Sequence, residues 1–507
     1  MLKRTGFVQP DVGIYTITAM VNKTDPAEVT FADLDDVADE LERFYAQPLG
    51  KYIAGSLAFT TNGGFTQPTW NNEKFQYKRT AYASFVLRGH QNKDLTPVLN
   101  ALDENGKTDY RDMVLRDRPN APRCVFTGDP AYLRVSRDML PMFNGRGIMN
   151  FSPMGESGVP ISAAMLLAIH AMPLGCIVSQ GALLAVESSD PALMFEFVRA
   201  NLARNQLFAH MTHLEKFPNL TSYKTRLIDG LLEAQHAAPF PADEAEYYAA
   251  PSLTAYHFSN YGASPRLQIY TLPSNIVGFV LSVQHGRHAA AWSEIVRKAR
   301  HEEKSAGEEL NQAAPRLTQR NLIYEDLFDL PEKARDFLRT YFLRQPLRKH
   351  GSALKNDPRA QYDLSTEASL LSWDLTALFL ERIMLMQKDR IDQIRSLGDR
   401  LAEHIQRNHD RRLLRDLYIA RAYWQFRQVL LRAVQRYNGA EPLCPFDTYV
   451  TIFEESEDFE RQDWSLARDL LLIRIFEQLQ RSGVWGQVAD ALEAADGEQE
   501  EPSPSVN

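Results

Sequence analysis

Apolar residues recur along this chain with two different periods, and the change from one to the other divides it. Between Thr30 and Tyr45, Leu34, Val37, Leu41 and Phe44 fall at helical spacing. Thr30 is positioned as N-cap, with Asp33 three residues on, as in a capping box. The earlier run Gly13 to Val21 (GIYTITAMV) suits a strand or a buried helix, because so short an apolar run does not discriminate between them. Leu193–Asn205 and Thr221–Ala234 read as helices. Leu253–Tyr261 and Leu267–Leu272 read as strands, with Ile276–Val283 as a further candidate and Phe85–Arg88 and Val125–Phe126 as shorter ones. From Ala289 onward helix formers dominate, and after Asp363 only Thr448–Phe453 resembles a strand.

The uncharged stretch Val159–Val186 is the one segment that raises the question of a membrane. Pro173, Gly175 and Ser179-Gln180-Gly181 interrupt it, and His170 lies within it. A spanning helix needs roughly 20 mostly apolar residues in a row. The breakers instead predict a buried helix over 161–172, a turn at 173–175 and a buried strand over 176–186.

The predicted class is α+β: a mixed α/β body over 1–290, a helical connector over 291–362 and an all-α bundle over 363–495. An acidic tail with Ser-Pro repeats, 496–507, is expected to be disordered. A chain of 507 residues exceeds what one hydrophobic core serves, in keeping with two or three domains. No internal repeat is visible. The net charge of −9 argues against a uniformly basic nucleic-acid coat but leaves room for a local basic face. Three separated cysteines, Cys124, Cys176 and Cys444, make neither a disulfide framework nor a zinc site and point to a reducing cytoplasm. The N-terminus has no apolar segment of signal-peptide type.

Catalytic signatures are lacking. There is no Walker phosphate loop, HExxH or paired CxxC. Gly155-Glu156-Ser157-Gly158 misses the GxSxG spacing by one residue. His210 with His213, and His285 with His288, are spaced to share a metal on a helix, but no Cys or carboxylate completes either set. No cofactor or metal is expected. A hydrolase built on the Gly-rich centre with His170 is the enzymatic alternative.

Three stretches carry binding chemistry. Phe126–Gln180 interleaves Arg134, Arg137 and Arg146 with Asn144, Asn150 and several glycines, which suits phosphate and base-edge contacts. The arginines have a rival structural role, pairing with Asp129 and Asp138. The run Asn62-Gly63-Gly64-Phe65-Thr66-Gln67-Pro68-Thr69-Trp70-Asn71-Asn72 predicts a projecting turn. Lys74, Lys78 and Arg79 follow it. In the bundle, Ile391, Ile394, Leu397, Leu401 and Ile405 form one apolar stripe. Leu413, Leu414, Leu417, Ala420, Trp424, Leu431 and Val434 form a second, and Trp464 to Leu479 a third amphipathic helix. Opposite the first two lie Arg407, Arg411, Arg415, Arg421, Arg432 and Arg436, a face suited either to solvent or to tracking single-stranded nucleic acid.

The motifs DVGIYTITAMV, NGGFTQPTW, FTGDPAYLRVSRDMLPMFNGRGIMNFSP, GVPIS and MPLGC with its following QG resemble the large subunit of type I-B CRISPR Cascade, the Cas-eight family. The resemblance covers the chain to about residue 190. Beyond that it is one of order and helical character. It implies a non-catalytic component of an RNA-guided complex, with a division of labour in which base pairing reads most of the target. Such a subunit holds the 5′ handle of the guide RNA beside the other Cascade backbone subunits. It reads the protospacer-adjacent motif on double-stranded DNA, aids unwinding and recruits the helicase-nuclease. On this reading Asn62, Gly63, Gly64, Gln67, Asn71 and Asn72 are candidates for motif recognition, and Lys74, Lys78, Arg79, Arg134, Arg137 and Arg146 for backbone contact. The bundle would line the displaced strand, as the small subunits do. In several such systems the small subunit arises from an internal start, for which Met384 and Met386 are positioned. A transposon-associated version would hand the DNA to transposition proteins instead.

Overall fold

The computed structural model describes residues 2–46, 49–50, 122–129, 131, 133–135, 158–179, 182–210, 222–237, 250–259, 266–302, 319–346, 357–437, 442–453 and 463–486. The chain divides into two compact units, Met1–Ser274 with Glu302–Arg320, and Asn275–His301 with Asn321–Asn507. The fold is α+β, with helices predominating and a small antiparallel sheet in the first unit.

GIYTITAMV resolves as helix: it lies within α1 (Val8–Met20), buried on nearly every side. Helix α2 (Phe31–Ala46) follows. Its start is the predicted capping box: Asp33 N–H donates to the Thr30 hydroxyl at 3.3 Å, and Thr30 N–H donates back to the Asp33 carboxylate at 2.6 Å. The β-branched content of α1 is tolerated because Thr16 and Thr18 return their hydroxyls to the carbonyls of Val12 and Ile14. The neighbour of α1 is α3 (Ala163–Ala171), and the two come unusually close at Gly13. A Cβ added there would lie 1.8 Å from the Ala168 carbonyl oxygen. Only glycine fits such a crossing.

After α3 the chain makes a tight turn over Met172–Gly175. Helix α4 (Pro191–His210) holds it: Asn205 donates to the carbonyls of Leu174 and Cys176 at 2.8 and 2.9 Å, and Asn201 to that of Gly175 at 3.2 Å. These two buried amides answer carbonyls that an apolar side chain would leave without partners.

Strands β1 (Leu133–Val135) and β2 (Val159–Ile161) form a two-stranded antiparallel pair. A second sheet has the order β3 (Ile177–Ser179), β4 (Ala182–Ser188), β5 (Leu253–Ser259), β6 (Arg266–Leu272), antiparallel throughout. The single strand expected over 176–186 is therefore two strands paired back on each other. Helix α5 (Tyr223–Ala237) lies, like α4, between β4 and β5 in the chain. Val125–Phe126, expected as a strand, belongs to a turn closed by Gly128 N–H to the Cys124 carbonyl at 2.9 Å.

The second unit begins with α6 (Ser274–Ser282), so the candidate strand at 276–283 is a helix. With α7 (Ala289–Lys298) and α8 (Trp373–Arg382) it builds an aromatic core. Phe279 meets Trp292 and Phe379 edge-on at 5.6 Å, and Phe337 stacks on Phe379 at 5.3 Å. Helices α9 (Lys388–Asn408), α10 (Arg411–Ile419), α11 (Tyr423–Arg436), α12 (Phe446–Phe453) and α13 (Trp464–Arg481) complete the unit. The last strand candidate, Thr448–Phe453, lies inside α12. Its apolar run packs Phe453 on Phe426 at 5.1 Å, and tertiary packing outweighs β propensity there.

Helix α13 departs most from its amphipathic expectation. Residues from Ser465 to Glu477 are buried all round, including Arg468, Asp469, Arg474 and Glu477. A helix at the centre of its unit has no solvent face, and its charges pair internally. Arg468 and Arg339 share Asp469 at 2.7 and 2.5 Å, and Arg474 joins Asp399 and Glu477, each at 2.6 Å. Among the described residues no helix is long and apolar enough to cross a membrane.

Candidate nucleic-acid interface

The predicted motif-reading loop, Asn62, Gly63, Gly64, Gln67, Asn71 and Asn72, lies outside the described residues, as do Lys74, Lys78, Arg79, Arg137 and Arg146. Arg134 is in β1, its backbone opposite Pro160 of β2. The basic face of the second unit can be built atom by atom.

Its first correction concerns continuity. Arg407, Arg411 and Arg415 do not share a helix. Helix α9 ends at His409, which takes the left-handed conformation at φ 51°, and Asp410 then caps α10 by accepting from Leu413 N–H at 2.9 Å. A second break divides the stripe read as one helix from Leu413 to Val434. Ala420 turns extended after Ile419, and its carbonyl accepts from buried Arg468 of α13. Gln425 reaches back to the N–H groups of Arg421 and Ala422 at 3.0 and 3.2 Å, starting α11 on a new axis.

That restart rotates the side chains. Leu413, Leu414, Leu417 and Ala420 are buried as expected, whereas Trp424 and Leu431 are not: they are 61% and 50% exposed. The face of α11 turned inward is instead Phe426, Leu430 and Ala433. Trp424 and Leu431, seven residues apart, lie on one outward face. Arg427 flanks that face at about 60° to one side and Arg432 at about 80° to the other, from 100° per residue. Arg427 was not anticipated; its spacing of three from Trp424 was the available clue once the aromatic was seen to be outside.

The arginines fall into two electrostatic groups. Arg407 pairs with Glu403 at 2.5 Å, and Arg412 and Arg415 both approach Asp416, at 3.8 and 3.5 Å. Arg421, Arg427, Arg432 and Arg436 form no ion pair among the described residues, and all four are exposed. From Arg411 to Arg436 the chain holds seven arginines and one carboxylate, Asp416. On a chain of net charge −9 this is a concentrated positive field.

The remaining sequence candidates are dispersed. His170 is buried in α3. His285 and His288 flank a tight turn at Gly286 rather than sharing a helix face. Burial, together with neighbouring Arg287, lowers the pKa of His288. His210 ends α4, and His213 lies outside the described residues. Among the described residues no group of three His, Cys, Asp or Glu side chains is arranged to hold a metal ion. Met384 and Met386 sit in the connector between α8 and α9, Met386 buried and its N–H bonded to the Leu380 carbonyl at 2.9 Å. No family model, curated protein or solved structure matches this chain.

Proposed function

We propose that this chain is the non-catalytic large subunit of an RNA-guided DNA-targeting complex of the type I-B Cascade kind. It acts in the cytoplasm on double-stranded target DNA. The N-terminal unit holds the 5′ handle of the guide RNA and reads the adjacent motif through the loop from Asn62 to Asn72. The helical unit lines the displaced strand. The assembly then hands the target to a helicase-nuclease, or to transposition proteins in a transposon-borne system. The motifs of the first 190 residues support this reading. The structural observation in its favour is the unneutralised arginine set of α11, which suits a polyanion and which an acidic protein has no need of for solubility.

Expression with the genes adjoining its own, followed by purification on a tag carried by this chain, tests the assignment. Co-purification of short RNAs sharing one constant 5′ segment is the expected result. A chain that purifies without RNA and without partners contradicts the assignment.

A further inference from the structure

Trp424 is the largest side chain that the second unit leaves outside, and its setting is specific. It is 61% exposed, whereas Trp373 and Trp292 are fully buried and Trp464 packs against Tyr423 and Phe426. The cause is structural: the break at Ala420, held by Arg468, and the Gln425 cap fix the rotation of α11 and turn Trp424 outward. Nothing in the core requires an indole there, since Phe426, Leu430 and Ala433 already fill the inward face. Around it stand Arg427, Gln428, Leu431, Arg432 and Gln435, and α11 has no carboxylate.

An exposed indole, a second apolar residue about 10.5 Å along the same face (seven residues at 1.5 Å rise) and free guanidinium groups on both flanks form a recognisable combination. Aromatic faces stack on bases of any sequence, while arginines follow the phosphates. A protein partner would meet the same apolar pair, but four unpaired cations with no acid on the helix favour a polyanion. Building on the function proposed above, we infer that Trp424 is a nucleobase-stacking platform for single-stranded nucleic acid. Leu431 extends its apolar surface, and Arg427 and Arg432 hold the backbone on either side. Binding is indifferent to base sequence.

The test uses the full-length protein and a fluorescein-labelled 20-nucleotide oligothymidylate, read by anisotropy across a salt series. Trp424→Ala is expected to weaken binding about five- to a hundredfold with the salt dependence unchanged, and Trp424→Phe to retain most of the affinity. The double variant Arg427→Ala/Arg432→Ala should instead flatten the plot of log affinity against log salt by about 1.4, at roughly 0.7 for each phosphate no longer neutralised. A base-free strand of the same length should bind wild type and Trp424→Ala equally. If Trp424→Ala binds neither the thymidylate nor the base-free strand, the variant has a folding defect and the stacking role is overturned. Wild-type affinity in Trp424→Ala, with weakened binding in the double-arginine variant, overturns the stacking role and leaves the basic face intact. A Trp424→Ala variant that keeps its affinity but changes oligomeric state assigns the patch to self-association. No binding of any strand by wild type overturns both the stacking role and the single-strand function of this face.

Discussion

Arg474 of α13 donates to Asp399 of α9 at 2.6 Å, and its stem passes over Gly398, where an added Cβ would lie 2.8 Å from the arginine Cγ. The same guanidinium holds Glu477 at 2.6 Å, and that carboxylate also accepts from the N–H of Trp373 at 3.1 Å. One arginine thus ties three helices together around a buried acid. Removing Arg474 leaves Glu477 nearly sealed from water with Arg481 as its remaining cation. Arg474→Ala should therefore cost about 3–5 kcal/mol in urea unfolding. Asp399 is 40% exposed, so Asp399→Ala should cost less than about 1 kcal/mol. Equal costs would show that the pair, not the buried acid, carries the stability.

Gly13 makes a second prediction. Gly13→Ala drives a methyl into the Ala168 carbonyl, and α1 and α3 must separate, at a cost of about 3 kcal/mol or more. Gly6, at φ 84° with open space around it, serves as control. Gly6→Ala should cost only the conformational strain, about 1–2 kcal/mol. Thermal unfolding of the two variants distinguishes a packing requirement from a backbone one.

The start of α2 should respond to acid. The hydrogen bond from Lys23, together with those from Thr30, holds the Asp33 carboxyl down at about 2, against about 3.9 in an unfolded chain. Because the folded value is the lower one, the stabilisation is fully present above about pH 4 and is lost as pH falls through about 2. Asp33→Asn should be less stable than wild type by about 1 kcal/mol at pH 7. The gap should narrow as the pH is lowered below 4. A gap that stays constant to pH 2 would mean that the charge of Asp33 contributes nothing.

Met384 lies in the turn before α9, with Leu385 exposed beside it at φ 53°. A product begun at Met384 or Met386 would keep α9 to α13 whole but lack α8, whose Trp373 N–H bonds Glu477. The natural coding sequence with a C-terminal tag should give a short second band on a blot, and Met384→Leu/Met386→Leu should abolish it. Persistence of that band in the double variant rules out these starts.

Local signals in the sequence proved reliable where side chain and backbone are neighbours. Thr30 and Asp33 announce α2 because both halves of the capping box lie within four residues. Positions set by distant contacts were not legible. Val-, Ile- and Thr-rich segments at 13–21, 276–283 and 448–453 became helices through packing that local propensity does not encode. The outward face of α11 is the clearest case. Trp424 and Leu431 continue the heptad-like spacing of Leu413 and Leu417, and only the break at Ala420, held by Arg468 from 48 residues away, turns them to solvent. The buried charges of α13 were hidden for the same reason, since Asp469, Arg474 and Glu477 look like a solvent face until their partners are placed.

The most direct test is the electrophoretic mobility of the guide-loaded complex on duplexes randomised beside the target, with wild type compared against Asn62→Ala and Gln67→Ala. The account predicts that wild type enriches one short flanking motif. Removing an amide that bonds a base edge, worth about 1–3 kcal/mol, should relax that enrichment roughly tenfold in each variant. Unchanged enrichment in both variants would remove the loop as reader. Failure of the chain to enter any guide-RNA complex would contradict the account itself.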